Sequence, residues 1–353
     1  MWADRHRNRC GRGRSAAPWH FERGHAELSS PLTDWLERHQ IPIYLAGLAA
    51  GAAVGAVWPA GGHAWEAAIY PVLGALLYAT FLQVPFTKLT AAFRDVRFLS
   101  AVLAVNFIVV PLVVAALVTV VSLPQAVLLG VLLTLLAPCI DYVIVFCGLA
   151  GGDNQRLLAA APLLMLVQML ALPLLLWLFV GPELADIVDV GPFLEAFLIL
   201  IVVPLLLAWA TETLADRHRS GEVITSAMTA AMVPLMTATL FVVVASQFPK
   251  ISHQLDQVLQ VVPIYAAFLV IMAAVGLGVV RVLGFDSGRG RALIFTGATR
   301  NSLVVLPLAL ALPAAYAITP AIVVSQTLVE LLGMIIYVRA IPRLVPVRTP
   351  AAQ

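Results

Sequence analysis

Ten apolar runs, each about as long as a bilayer is thick, follow one another from Ile41 to Val338. A helix needs roughly 20 apolar residues to cross the hydrocarbon core of a membrane. The pattern therefore predicts an all-α polytopic membrane protein with ten transmembrane helices. The predicted spans cover residues 41–59, 67–86, 98–121, 124–150, 157–180, 192–210, 223–247, 259–283, 292–313 and 317–338.

The composition agrees with this class of fold and excludes a soluble globular chain. Charged residues make up 11% of the chain, whereas soluble domains carry about 25%. The three cysteines are odd in number, and Cys139 and Cys147 lie in apolar segments, which predicts reduced thiols. The chain has no His-Glu-x-x-His zinc helix and no nucleotide-binding loop. We therefore expect no cofactor, no metal, no nucleic-acid partner and no enzymatic activity.

The distribution of basic residues predicts the orientation in the membrane. Ten spans place both termini on one side, and Lys250 is the single basic residue in the loops of the other side. The loops of that other side carry the acidic residues Glu66, Glu183, Asp186, Asp189 and Asp256. Because basic residues mark the cytoplasmic face, we expect a protein of the plasma (inner) membrane with both termini in the cytoplasm. Residues 1–40 form a basic N-terminal extension, and residues 344–353 form a cytoplasmic tail.

The first span carries a stripe of glycines. Gly47, Gly51 and Gly55 follow one another at a spacing of four residues, so they share one face of a helix. A stripe of small residues lets a second membrane helix approach closely. We expect this face to be a packing surface.

The fourth span contains Ala137-Pro138-Cys139-Ile140-Asp141 in its middle. Pro138 removes a backbone donor, which predicts a helix break at this position. Freed backbone groups at this depth are tolerated only when they are buried in protein or line a watery cavity. Asp141 would cost about 2.5–3.5 kcal/mol near the bilayer centre. We therefore predict that this broken helix lines a substrate site that includes Cys139 and Asp141.

The ninth span contains a second polar run, Thr299-Arg300-Asn301-Ser302. An arginine inside a membrane indicates a functional site, and its expected partner is an acidic residue of equal depth. Asp141 is the predicted partner, either as a fixed structural pair or as a pair whose charges change during transport. Thr299, Asn301 and Ser302 either offer polar groups to the substrate or satisfy freed backbone groups nearby.

The two polar runs occupy corresponding positions in the two halves of the chain. The ungapped shift that lays Pro138-Cys139 on Arg300-Asn301 also lays Gln168 on Glu330. Two five-helix halves enter the membrane from opposite sides, as in many secondary transporters. We expect two inverted repeats, residues 41–180 and 181–343, whose broken helices four and nine meet at the substrate site.

Three polar residues are candidates for coupling transport to an ion or proton gradient. They are Asp141, Gln168 and Glu330. At its predicted depth, Glu330 must be protonated, paired or close to water. A proton-carrying role and a hydrogen bond between helices both fit this requirement.

Several motifs resemble those of the arsenite efflux permeases, a branch of the bile acid:sodium symporter superfamily. Ala137-Pro138-Cys139-Ile140 is similar to their fourth-helix motif. Gly151-Gly152-Asp153 resembles their next loop, and Thr327-Leu-Val-Glu330 resembles their last helix. The resemblance implies a panel domain, a core domain and proton-coupled extrusion of arsenite or antimonite, with Cys139 as the functional thiol.

Two departures keep other functions open. The arsenite branch usually has a small apolar residue in place of Asp141, and an Asn-Asn-Phe-Glu run in place of Thr299-Arg300-Asn301-Ser302. Arg300-Asn301 before a leucine-rich run is closer to the organic-anion branch. On the strength of the fourth-helix motif, we expect an arsenite/antimonite exporter driven by proton antiport. The first alternative is a sodium- or proton-coupled organic-anion carrier in which Arg300 binds the carboxylate, and the second is a non-transporting membrane receptor.

The orientation is tested by labelling engineered cysteines with a reagent that does not cross membranes. A cysteine near Lys250 should react from outside the cell, and cysteines near Arg217 or Arg289 should not. Equal labelling of the positions near Arg217 and Lys250 would contradict the ten-span arrangement.

Overall fold

The structure, a computed structural model, describes residues 31–83, 95–140, 142–181, 195, 198–215 and 217–347. Within these ranges, seven helices are long and apolar enough to cross a membrane. Two further apolar helices, Gln125–Leu135 and Val203–Ala215, are shorter. The predicted all-helical class is confirmed for the described part of the chain.

The described residues form fifteen α-helices. In chain order they are α1 Pro31–Arg38, α2 Gln40–Val57, α3 Gly62–Gln83, α4 Val96–Ala104, α5 Val110–Val120, α6 Gln125–Leu135, α7 Tyr142–Leu149, α8 Asn154–Val180, α9 Val203–Ala215, α10 Arg219–Ala230, α11 Met232–His253, α12 Leu255–Leu283, α13 Ser287–Ala298, α14 Ser302–Leu310 and α15 Thr319–Leu344.

The helices pack as two bundles. In the first bundle, α11 lies against both α2 and α3, and α9 packs on α3 and α10. In the second bundle, α15 packs against α6, α12 and α14, while α13 packs against α7, α8 and α12. The resemblance to the efflux permeases implies two such bodies, a panel and a core.

The glycine stripe of α2 forms the contact with α11. A Cβ atom added at Gly51 would lie 2.5 Å from the carbonyl oxygen of Phe241. One turn to either side, a Cβ at Gly55 would lie 2.8 Å from the carbonyl oxygen of Ala245, and one at Gly47 would meet both the side chain and the carbonyl of Thr237. The two helices therefore touch through their backbones, and the predicted packing role of this stripe is confirmed.

A short π-helical turn directly precedes each of the apolar helices α5 and α9, and a proline follows each turn. Val105–Val109 comes just before Pro111, and Leu198–Val202 comes just before Pro204. A proline has no N–H to donate to the carbonyl four residues earlier, so the helix widens at that turn. The first turn carries Asn106, and the second carries Ile201, which lines a cavity described below.

Three helices begin at the same end of the structure with aspartate caps. The side chains of Asp95, Asp153 and Asp286 accept backbone N–H groups in the first turns of α4, α8 and α13. Arg156 contacts both Asp153 and Asp95, and Arg289 contacts both Asp286 and Asp95. The charge network joins three helix starts on the side that the distribution of basic residues predicts to be cytoplasmic.

At this end, a buried arginine of α13 satisfies the C-terminal carbonyls of two other helices. Arg291 donates to the carbonyl of Val345, after α15, at 2.9 Å and to that of Ala150, after α7, at 2.9 Å. Carbonyls at helix C-termini have no partner inside their own helix and carry partial negative charge. Arg291 therefore fastens α7, α13 and α15 together.

The second half of the chain reproduces the helix bounds of the first half at the predicted offset. Under the shift that carries Pro138 to the position of Arg300, α6, α7 and α8 would cover 287–297, 304–311 and 316–342. The corresponding helices are α13, α14 and α15, whose bounds differ from these by at most three residues. Ten spans in two inverted repeats stay a prediction, and this agreement supports it.

The close contact between α2 and α11 is tested by the substitution Gly51→Ala. The added methyl group meets the backbone of Phe241, which cannot move without shifting α11. We expect a loss of about 1–3 kcal/mol in the free energy of unfolding, measured by thermal unfolding in detergent. The matched control is Gly278→Ala in α12, where a Cβ meets no atom within 4 Å. Equal stability of the two variants would contradict the packing role.

Candidate functional site

Two interrupted helices meet inside the second bundle. The first interruption separates α6 from α7 at Pro138, and the second separates α13 from α14 at Thr299–Asn301. Pro138 has no N–H, so the first helix cannot continue through this position. In the second interruption, Thr299 is extended, and Asn301 caps α14 by accepting the N–H of Val304 at 3.1 Å.

The backbones of the two interruptions are hydrogen-bonded to each other. The N–H of Cys139 donates to the carbonyl of Thr299 at 3.2 Å, and the N–H of Asn301 donates to the carbonyl of Ala137 at 2.8 Å. Pro138 and Arg300 are the central pair of this antiparallel bridge. The shift that relates the two halves of the chain turns each hydrogen bond into the other, so the bridge has a local two-fold relation. It also satisfies backbone groups that the interruptions free.

The side chain of Arg300 is fully buried beside this bridge. Its Nη2 lies 2.7 Å from Asn106 Oδ1 and 2.8 Å from each of the carbonyl oxygens of Thr296 and Gly297. Its Nη1 donates to the carbonyl of Leu135 at 3.3 Å. The guanidinium is therefore surrounded by neutral oxygens from α6, α13 and the π turn before α5.

The predicted pair of Arg300 with Asp141 stays a prediction. Asp141 lies outside the described residues, so its distance from the guanidinium is not defined. Among the residues that the structure describes, the nearest partners of the guanidinium are backbone carbonyls and an amide.

Glu330 of α15 binds the same bridge from another side. Its Oε1 accepts from the hydroxyl of Tyr142 at 2.5 Å, and its Oε2 accepts from the backbone N–H of Arg300 at 2.8 Å. Gln326, one turn earlier, also donates to Oε2. The carboxylate therefore ties α15 to the start of α7 and to the second interruption.

The other predicted residues have different surroundings. The hydroxyl of Thr299 donates to Phe295 within its own helix, and that of Ser302 lies 2.5 Å from the hydroxyl of Thr327. Cys139 is fully buried in the bridge. Asn301 uses its Oδ1 for capping, but its buried Nδ2 has no partner among the described residues.

A cavity lies between the two bundles, next to Asn301. The first bundle contributes Phe81 and Ile201 to its walls, and the second contributes parts of α8, α14 and the Pro138 interruption. Eleven of the thirteen lining residues are apolar, and the two polar ones are Gln168 and Asn301. The lining residues are Phe81, Ile140, Met165, Gln168, Met169, Leu172, Pro173, Leu176, Ile201, Asn301, Val304, Val305 and Leu308.

The structure thus separates the predicted site residues into two groups. Pro138, Cys139, Arg300 and Glu330 lie in the bridge and its supports, and Gln168 lines the cavity; Asn301 belongs to both, because its N–H is part of the bridge. Gln168 and Glu330 correspond in the two halves of the chain, but only Gln168 faces the cavity.

The predicted site did not include three residues that the structure places in it: Asn106, Tyr142 and Gln326. Asn106 is a single amide in an apolar span, and Pro111 five residues later signals the turn that aims it at Arg300. Tyr142 directly follows the predicted run, and Gln326 precedes Glu330 by one helical turn. The sequence does not show which groups these side chains contact, because their partners come close only when the two interruptions meet.

The support of Glu330 by Tyr142 is tested with a double-mutant cycle. Tyr142→Phe removes one donor from a buried carboxylate, so we expect a loss of about 1–3 kcal/mol in unfolding free energy. Combined with Glu330→Gln, the two effects should not add, because the two side chains share a hydrogen bond. Unfolding in detergent measures both quantities.

The control for this cycle is Tyr265→Phe. Tyr265 is also buried, and its hydroxyl donates to the carbonyl of Ile322 at 3.1 Å. Its effect should add to that of Glu330→Gln. Additive effects for Tyr142→Phe as well would show that Tyr142 does not support the carboxylate.

The sequence of the chain matches a known protein family. No curated protein sequence matches the chain. The sequence model described as "Sodium Bile acid symporter family" matches residues 70–254, just over half of the chain. The match spans most of the first bundle, the Pro138 interruption and α8. Members of this family are transporters rather than enzymes. The chain is a multi-pass membrane protein that belongs to the Sodium Bile acid symporter family.

Proposed function

We propose that this chain is a secondary transporter for an amphipathic organic anion, the first alternative from the sequence. The observation that carries this proposal is the composition of the cavity between the two bundles. Eleven apolar side chains line it, and Asn301 offers a donor that has no partner among the described residues. Apolar walls with a few placed polar groups are typical of sites for organic ligands.

The polar head group of the substrate would bind at the N-terminus of α14. Asn301 is the N-cap of this nine-residue helix and lies in the cavity wall. Half-helix N-termini carry partial positive charge, and in broken-helix transporters they point at anionic substrate groups. The Nδ2 of Asn301, which has no partner within the described part of the chain, adds a hydrogen-bond donor at the same place. A carboxylate or sulfonate matches both features, and Gln168 is a second polar contact.

The position of the cavity supports an alternating-access mechanism. Its walls come from both bundles, with Phe81 and Ile201 on one side and α8 and α14 on the other. A movement of one bundle against the other would open this interface first to one side of the membrane and then to the other. Ten spans, two inverted repeats, and cytoplasmic termini in the plasma membrane belong to the same proposal.

Glu330 is the proposed carrier of a coupling proton. An ionised carboxylate only accepts hydrogen bonds, and Glu330 accepts three. Protonation would turn one of its oxygens into a donor and so displace Tyr142, Gln326 or the N–H of Arg300. Because these donors belong to α7, α15 and the bridge, the proton would act directly on the interrupted helices. Asp141 and Gln168 remain further candidates for coupling.

Arsenite or antimonite export by proton antiport is the second candidate. The observation that favours it is the position of Cys139, a thiol in the interruption next to the cavity-lining Ile140. Cys139 itself is fully buried, so a metalloid could reach its sulfur only after the bridge opens. The described cavity walls offer thioethers, from Met165 and Met169, but no second thiol, and the organic anion is therefore the better fit.

Transport into proteoliposomes distinguishes the two candidates. With a proton gradient, we expect uptake of a radiolabelled bile acid, and Asn301→Asp should lower this uptake about tenfold or more. Aspartate keeps the acceptor that caps α14, but it replaces the donor with a charge that repels the anion. Asn154→Asp, at an exposed position in the first turn of α8, is the matched control and should transport normally.

Arsenite flux is measured in the same vesicles with Cys139→Ser and, as its control, Cys147→Ser. Arsenite flux that only Cys139→Ser abolishes, without bile-acid uptake, would favour the second candidate. Vesicles that move neither solute would contradict both candidates.

A further inference from the structure

The guanidinium of Arg300 lies in an unusual set of oxygen atoms. Three of them are the backbone carbonyls of Leu135, Thr296 and Gly297, and the fourth is the side-chain oxygen of Asn106. Leu135 ends α6, and Thr296 and Gly297 belong to the last turn of α13. The C-terminal ends of two interrupted helices therefore converge on one cation.

The geometry resembles ion coordination more than a set of directional hydrogen bonds. Nη2 carries two hydrogen atoms, but three oxygens lie 2.7–2.8 Å from it. None of these oxygens is charged. Carbonyls of unwound backbone and half-helix C-terminal ends are the groups that coordinate monovalent cations in broken-helix transporters.

These oxygens need a positive charge at this place. Carbonyls in the last turn of a helix have no partner within the helix and lie at its negative end. Arg300 and Asn106 are both fully buried, so bulk water does not reach this position. A buried acceptor without a partner costs about 1–3 kcal/mol. The ring of Phe268, 5.6 Å from the guanidinium carbon, closes one side with a further group that favours a cation.

We propose that these four oxygens form a monovalent-cation site that the guanidinium of Arg300 fills permanently, so that this transporter works without a sodium ion at the crossing of its interrupted helices. A sodium ion cannot bind there, because the guanidinium occupies the space and its positive charge repels the ion. A tethered cation also cannot leave with the substrate, so this site cannot draw on a sodium gradient. Only the statement about transport rests on the proposed function.

Thermal unfolding of the purified protein tests the site without a substrate. Melting temperatures are measured in sodium chloride and in choline chloride at equal ionic strength. We expect the same value in both salts for the wild type. Arg300→Gln should be less stable in choline, and sodium should raise its melting temperature by about 2–4 °C in a saturable way, because the ion binds the folded state.

The matched control is Arg291→Gln. It also removes a buried guanidinium from carbonyls at helix C-termini. One of the carbonyls that this substitution frees belongs to the exposed Gly151, so this position lies at the edge of the bundle, whereas the surroundings of Arg300 are fully buried. We expect lower stability for this variant, with the same melting temperature in both salts. A sodium response of equal size here would show general destabilisation and overturn the proposal.

Two further results would overturn the proposal: a saturable rise of the wild-type melting temperature with sodium, or an Arg300→Gln variant that unfolds identically in both salts. Where Arg300→Gln does not fold in either salt, the wild-type titration decides alone. The statement about transport is tested separately in proteoliposomes, where bile-acid uptake should continue when choline replaces sodium. Absence of all uptake would contradict the proposed function but leave the thermal result for the cation site intact.

Discussion

Two backbone hydrogen bonds between Ala137–Cys139 and Thr299–Asn301 allow two helices to stop inside a membrane bundle. Free N–H and C=O groups at this depth would each cost several kcal/mol, and each interruption supplies the partners that the other lacks. The bridge also separates the two kinds of helix end. The N-terminal end of α14, with Asn301, reaches the cavity, while the C-terminal ends of α6 and α13 face Arg300.

The two interruptions have different physical causes. Pro138 prevents a continuous helix whatever surrounds it, because the proline has no N–H. The second interruption contains no proline between Thr299 and Asn301, and it is held by the cap of Asn301, the bridge and the contact of Glu330 with the N–H of Arg300. The local two-fold relation of the backbone is therefore not repeated by the side chains.

Patterns of length and spacing in the sequence were sufficient for much of the fold. The apolar runs predicted the helices, and Pro138 predicted one interruption. The spacing of Gly47, Gly51 and Gly55 predicted a packing face that the structure confirms. These features depend on local chemistry, which each segment carries by itself. The ungapped alignment of the two halves also identified Pro138 and Arg300 as corresponding positions, and they are the residues paired in the bridge.

The surroundings of Arg300 could not be predicted in the same way. The predicted partner, Asp141, lies outside the described residues, and three of the described partners of Arg300 are backbone carbonyls, whose directions appear only after α6 and α13 are placed. Asn106 needed the π turn before Pro111 to point at the guanidinium. Gln168 and Glu330 correspond along the chain, but one lines the cavity and the other supports the bridge.

The glycine contact between α2 and α11 has a mechanical consequence. Where a backbone rests on a backbone, no side chain can change its rotamer to accommodate sliding, so this interface resists shear and α2 and α11 must travel together. The cavity wall is different, because Met165 and Met169 are long, unbranched side chains that repack easily. Stiffness is thus concentrated inside the first bundle, and compliance is concentrated at the boundary where the two bundles meet.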